Sequence, residues 1–136
     1  MKKIVIILMS FCLTGCVGSG ELTNTCVKVE SSTELTSTTT YTINFKNDEI
    51  SNINITNEYV ADASTISAIK LSTTTQNNFW KNKVTFNTLV DDKSNYKTEY
   101  IIDVNNVDDS VYNYFNLKKE RSKLVNYLKE NGFECN

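Results

Sequence analysis

The sequence predicts an α+β domain: an antiparallel sheet of about five strands with one or two helices packed on one face, in the order βββ-α-ββ-α. Three observations predict it. Over five stretches, β-branched and aromatic residues alternate with polar ones at period 2. Short Asp/Asn/Lys clusters separate stretches that hairpins would join. Two further segments, one central and one C-terminal, place apolar residues at helical spacing.

The first strand is Cys26-Val27-Lys28-Val29-Glu30. In the second, Thr39, Tyr41, Ile43 and Phe45 share one face, and Thr38, Thr40, Thr42 and Asn44 share the other. Asn47-Asp48-Glu49 reads as a turn into a third strand, whose apolar face is Ile53, Ile55 and Tyr59. From Asp62 to Lys83, a cap at Asp62 or Ser64 and the spacing of Ile66, Ile69, Thr73, Asn77 and Trp80 predict a helix. Thr73-Thr74-Thr75 and Asn77-Asn78 form helices poorly and oppose it. Val84, Phe86, Thr88 and Val90 return to period 2 on one face. A turn at 91–95 leads to Tyr96, Thr98, Tyr100, Ile102 and Val104. Residues 108–115 read as a loop or short helix. The last helix has Leu117, Leu124, Val125 and Leu128 on one side and Lys118, Lys119, Arg121, Lys123 and Lys129 on the other. Gly132 is placed as its C′ glycine, with Phe133 as the apolar contact beyond.

Ahead of this domain, Met1-Lys2-Lys3 is a basic start. It runs into an apolar stretch from Ile4 to Leu13 and then into Thr14-Gly15-Cys16. That order is a secretory signal. The stretch is too short to span a bilayer, which takes roughly 20 residues. Leu13-Thr14-Gly15-Cys16 resembles the lipobox of bacterial lipoprotein precursors: apolar, small, Gly or Ala, then Cys. The resemblance implies a diacylglycerol thioether on Cys16 and cleavage between Gly15 and Cys16, with Leu13, Thr14 and Gly15 as the signal-peptidase recognition residues. Residues 1–15 are then a removed signal, 16–21 a lipidated N-terminus and flexible tether containing Gly18 and Gly20, and 22–136 a single domain. Two acyl chains anchor stably where one holds only marginally. The expected location is the cell membrane, facing the extracytoplasmic side.

Cleavage would take 15 of 136 residues and leave 121, enough for one modest core. Of 14 basic residues only Lys2 and Lys3 leave, so 12 face 16 acidic ones. Lys118, Lys119, Arg121 and Lys123 are interrupted by Glu120 and read as a solvated helix face. Nucleic acid is therefore not an expected partner.

Cys12 leaves with the signal and Cys16 takes the lipid, which leaves Cys26 and Cys135. An even remainder in an oxidising compartment reads as one disulfide. Two free thiols are the alternative, although no Cys-x-x-Cys marks a redox pair.

The lipobox, Tyr41-Thr42-Ile43-Asn44-Phe45 and Tyr100-Ile101-Ile102-Asp103 resemble the YehR-like small bacterial lipoproteins. The closing Leu128-Lys129-Glu130-Asn131-Gly132-Phe133-Glu134-Cys135 is similar to the ending of related Gram-positive lipoproteins. The resemblance implies an exported α+β domain and brings no catalytic residues with it.

Chemistry is sparse. The chain has no His, which excludes Ser-His-Asp and Cys-His nucleophile systems. Three glycines after residue 15 do not make a phosphate-cradling loop. Asp48-Glu49, Asp91-Asp92 and Asp108-Asp109 are adjacent carboxylate pairs, all in turns or loops where Asp bonds local backbone. None has the alternating order of a calcium loop. No catalytic residue, metal or cofactor is assigned. Most aromatics fall on strand faces and pack a core. Phe79, Trp80, Tyr112 and Tyr114 lie beside loops and form the candidate binding patch. The expected function is a non-catalytic, membrane-tethered binding or structural module whose partner is an envelope protein or small ligand. The alternative is a carboxylate-dependent envelope enzyme or divalent-metal-binding accessory protein.

Overall fold

A computed structural model describes residues 20–136; Leu13, Thr14, Gly15 and Cys16 lie outside the described residues. The domain is α+β. Its elements are β1 (Leu22–Ser31), β2 (Leu35–Lys46), β3 (Glu49–Ala61), α1 (Ala63–Trp80), β4 (Thr85–Asp91), β5 (Asn95–Asp103), α2 (Asp109–Tyr114), α3 (Arg121–Glu130) and β6 (Glu134–Cys135). The six strands form one sheet in the order β4-β5-β3-β2-β1-β6, with every pairing antiparallel.

Pairing fixes which residues share a face. Tyr41 opposes both Cys26 and Ile55, Ile43 opposes Ile53, and Ile53 and Ile55 oppose Ile102 and Tyr100. This apolar face packs with Trp80, Val111, Leu124, Val125 and Leu128 in one core cluster, so α1, α2 and α3 lie on the same side. The opposite face is mostly polar, with Val27, Val29, Val60 and Ile101 set among threonines, asparagines and charged residues. Thr36, Thr38, Thr40 and Thr42 of β2 lie beside Thr23 and Thr25 of β1 and Asn54, Thr56 and Glu58 of β3.

The β2–β3 hairpin turns on Asn47 and Asp48, with φ of 50° and 67°. Left-handed geometry at both central residues is what a type I′ hairpin turn requires, and Asn and Asp tolerate it best among non-glycine residues. Each helix is opened by an aspartate. Asp62 Oδ1 accepts from the backbone N–H of Ser64 (2.9 Å) and Thr65 (2.8 Å) at α1. Asp108 does the same for Ser110 and Val111 at α2. At α3 the residue in the N-cap position, Glu120, makes no capping bond. Asp48 of the hairpin serves instead: it accepts from Ser122 N (3.0 Å), Ser122 Oγ (2.6 Å) and Arg121 Nε (3.0 Å). A residue 73 positions away thus satisfies the free end of the helix.

Four sequence expectations are corrected. The sheet has six strands rather than about five, because two residues after α3 pair with β1; a two-residue strand carries no alternation to read. Three helices form, with 108–115 yielding α2. The last helix starts at Arg121, so Leu117, Lys118 and Lys119 precede it. Asn116, at φ 51°, breaks the chain after α2, and Lys119 O and Glu120 then pair along Ile50 and Glu49. Val90 leaves the face of Phe86 and Thr88, because a bulge at Leu89 shifts the register against β5. The Thr run in α1 is accommodated: the hydroxyls of Thr73, Thr74 and Thr75 donate to the carbonyls of Ile69, Lys70 and Leu71.

At the C-terminus, Gly132 (φ 85°) closes α3 in a Schellman turn. Phe133 N–H donates to Leu128 O (3.0 Å) and Gly132 N–H to Lys129 O (3.1 Å). The Phe133 ring meets Tyr41 edge-on at 5.4 Å. Two residues later Cys135 is bonded to Cys26, its partner across β1–β6, with Cα atoms 4.0 Å apart and the two residues 109 positions apart in sequence.

Two expected outcomes follow from these ties. Reducing Cys26–Cys135 should lower unfolding stability by about 4 kcal/mol, since the bond closes nearly the whole domain. Urea denaturation with and without reductant, followed by circular dichroism, reads this directly. Asp48, Asp62 and Asp108 are held below the ordinary carboxylate range of 3.8, chiefly by Ser122, Thr65 and Ser110 hydrogen bonds respectively, and Asp108 lies at about 2. The unfolded chain therefore binds more protons, and stability present above pH 4 is lost as pH falls towards 2. The urea midpoint should drop across that window, and Asp108→Asn should flatten part of the slope.

Candidate binding surface

The end of α1 and the short α2 meet in an aromatic ledge. Trp80, the last residue of α1, is 3% exposed. Around it are Phe79 at 4.6 Å between ring centroids, Tyr114 at 4.6 Å and Phe115 at 5.9 Å. Phe79 is 72% exposed and Tyr114 46%. Phe115 continues inward to Tyr100 at 5.3 Å, which ties the ledge to the sheet. Trp80 is therefore the floor of the patch, and Phe79 and Tyr114 are its surface.

Lys83 fixes this geometry. The turn after α1 folds back on Trp80, whose carbonyl accepts from Lys83 N (2.7 Å) and Val84 N (3.1 Å). Lys83 Nζ then lies 5.6 Å from the centre of the Trp80 ring, 2.9 Å from Asp108 Oδ2 and 2.7 Å from Ser110 Oγ. Asp108 is the cap of α2, so one lysine joins the end of α1 to the start of α2 and sets Tyr114 against Trp80.

Of the four residues in the sequence-derived patch, Phe79, Trp80 and Tyr114 come together. Tyr112 does not. Its hydroxyl donates to Val104 O (2.8 Å) and Lys119 Nζ stands 5.4 Å from its ring, on the far side of α2. There Tyr112 lines an open cleft of about 560 Å³ with Lys46, Glu49, Ser51, Val104 and Lys119. Sequence reading missed this cleft because its walls come from β2, β3, the β5–α2 loop and the approach to α3. No local motif marks it.

The carboxylate pairs do not converge. Asp48 is bound to α3, Asp108 to α2 and Lys83, and Asp91 to Lys70. Glu99, on the polar face of the sheet, accepts from Asn54 (3.1 Å) and Asn87 (3.2 Å). Among the described residues no three His, Cys, Asp or Glu side chains gather as metal ligands. Burial pushes the phenols of Tyr41 and Tyr100 up to about 12 and raises those of Tyr59 and Tyr112, so these phenols stay protonated at neutral pH. Among the described residues no helix is long and apolar enough to cross a membrane.

No protein-family model matches this chain, and no curated protein does. A solved structure does share the fold: the NMR structure of a protein from Streptococcus pneumoniae TIGR4. The match covers all of this chain and 97% of that one, with a TM-score of 0.56 at 15% identity. The likeness establishes the architecture and carries no function across.

The ledge separates fold from surface, and two substitutions should show it. Trp80→Ala removes a buried ring and should cost about 3–5 kcal/mol of stability. Phe79→Ser removes an exposed one and should stay within about 0.5 kcal/mol of the parent. Urea denaturation followed by far-ultraviolet circular dichroism distinguishes the two.

Proposed function

We propose that this chain is the precursor of a bacterial lipoprotein, anchored by a diacylglyceryl thioether on Cys16. Its domain is an extracytoplasmic, non-catalytic binding module of the YehR-like kind. The observation that carries this reading is the run from Lys2 to Cys16: a basic start, an apolar stretch ending at Leu13, then Thr14-Gly15-Cys16. The Cys26–Cys135 bond supports it, because such bonds persist in oxidising compartments. The exposed Phe79 and Tyr114 support a binding role, since clustered exposed apolar side chains mark interaction sites. Carboxylate-dependent catalysis or divalent-metal binding draws no support from the positions of Asp48, Asp91 and Asp108, each of which is spent on a helix end or a lysine.

Detergent-phase partitioning and intact mass test the anchor. Protein from native cells should enter the detergent phase, begin at Cys16 and carry the added mass of the lipid. Cys16→Ser should remain in the aqueous phase. Aqueous wild-type protein with a free thiol at position 16 would overturn the reading.

A further inference from the structure

We propose that the end of the domain bearing Phe79 and Tyr114 rests on the lipid bilayer surface, with both rings at headgroup level and the neighbouring lysines facing lipid phosphates. The proposal rests on the anchoring of Cys16 proposed above.

Chain length sets the first constraint. Cys16 and Gly20 are four peptide units apart, which spans at most about 14 Å when fully extended. The described chain therefore starts close to the lipid. Its starting point is fixed: Gly20 lies beside Lys46, and Ser51 Oγ donates to the Glu21 carboxylate. Both contacts are at the β2–β3 hairpin end of the sheet.

A chain of contacts leads from that point to the ledge. Val104 N donates to Ser51 O (3.2 Å), and the Tyr112 hydroxyl donates to Val104 O (2.8 Å). Tyr112 belongs to α2, which is only about 9 Å long and carries Tyr114 to Trp80 and Phe79. The exit of the chain and the aromatic ledge thus lie towards the same end of the domain. At that end cations sit beside rings: Lys83 on Trp80, Lys119 on Tyr112 and Lys118 on Tyr127. Amphipathic rings bordered by lysines are the composition of a membrane–water interface.

Charge is arranged to match. Seven of the twelve basic residues after the signal lie at this end, at positions 46, 81, 83, 118, 119, 121 and 123. Seven of the sixteen acidic residues join them, at 21, 48, 49, 103, 108, 109 and 120. This end is balanced, and the remainder of the domain holds five basic against nine acidic residues. Anionic headgroups repel the remainder and tolerate this end. Phe79 and Tyr114 both flank Trp80 and line neither the cleft at Tyr112 nor the one at Lys81–Thr85, which suits a lipid surface better than an extended peptide.

The test uses the processed, lipidated full chain in phosphatidylcholine–phosphatidylglycerol vesicles. Trp80 is the chain's one tryptophan and lies 4.6 Å from both surface rings, so it reports on them. Headgroup spin-labelled lipid should quench its emission at least about twofold relative to unlabelled vesicles, and less in phosphatidylcholine alone. Phe79→Asp should stay vesicle-bound through its lipid yet lose most of the quenching. Leu71→Asp is the control. Leu71 is equally exposed on α1 but about 12 Å nearer the opposite end, and quenching should be unchanged. Wild-type protein that floats with vesicles but is not quenched overturns the seating and leaves the anchor standing. Equal loss in both variants, or none in Phe79→Asp, also overturns it. A chain that carries no lipid and does not float overturns anchor and seating together.

Discussion

A single sheet has two faces, and the three helices among the described residues cover only one. The covered face draws Ile43, Phe45, Ile53, Ile55, Tyr100 and Ile102 from three adjacent strands. The helices answer with Ile66 and Trp80 from α1, Val111 from α2, and Leu124, Val125 and Leu128 from α3 as their buried residues. Polar ties add direction to that burial. Asp48 holds α3 to the hairpin, Lys83 joins α1 to α2, and the Schellman turn with Cys135 fastens the far end of α3 to β1. Directional bonds locate the layer, and nondirectional burial then holds it.

The uncovered face solves the opposite problem. It must favour extended backbone while limiting apolar surface to a few side chains, among them Val29 and Val60. Threonine does both, because its branched Cβ prefers the strand and its hydroxyl meets water. Thr40 opposes Thr56 and Thr42 opposes Thr25 across the central strands, while Glu58 pairs with Lys97 at 3.2 Å further along the sheet. These charged residues, with Glu99 and its two asparagines, disfavour stacking of a second sheet. The two edges differ. The register shift at Leu89 breaks the regularity of β4, whereas β6 covers only Cys26 and Val27 of the ten-residue β1.

How much of this was legible in the sequence depends on the range of the interaction involved. Period-2 alternation exposed five strands and, up to the bulge before Val90, their faces, because it is local and repeated. A cap at Asp62 or Ser64 and the Gly132–Phe133 ending were legible for the same reason: each satisfies backbone groups within five residues, and the structure selects Asp62. What stayed hidden is held by long-range contacts. Nothing near Arg121 announces that helix 3 begins there, because its capping residue is Asp48, in a turn between two strands. Tyr112 and Tyr114 are two residues apart and looked alike as patch members. On a short helix they point apart, and only the Val104 carbonyl and the Trp80 ring decide which goes where. Trp80 looked accessible beside a loop, yet the fold-back of Lys83 onto its carbonyl makes it a floor.

Both ends of the domain are secured on the same strand. β1 pairs with β2 along its whole length from Leu22 to Ser31, and it also carries the bond to Cys135. Under the anchoring proposed here, any pull on the lipid enters the domain at Leu22 and runs along β1. It loads ten residue pairs side by side rather than opening them one by one. The disulfide passes part of that load to β6 and through the Gly132 turn into α3, which Asp48 ties back to the hairpin beside the point of entry. The force path is closed within the fold. Among the described residues, opening β1 would release the first and last strands together, and the Cys26–Cys135 bond keeps those two joined.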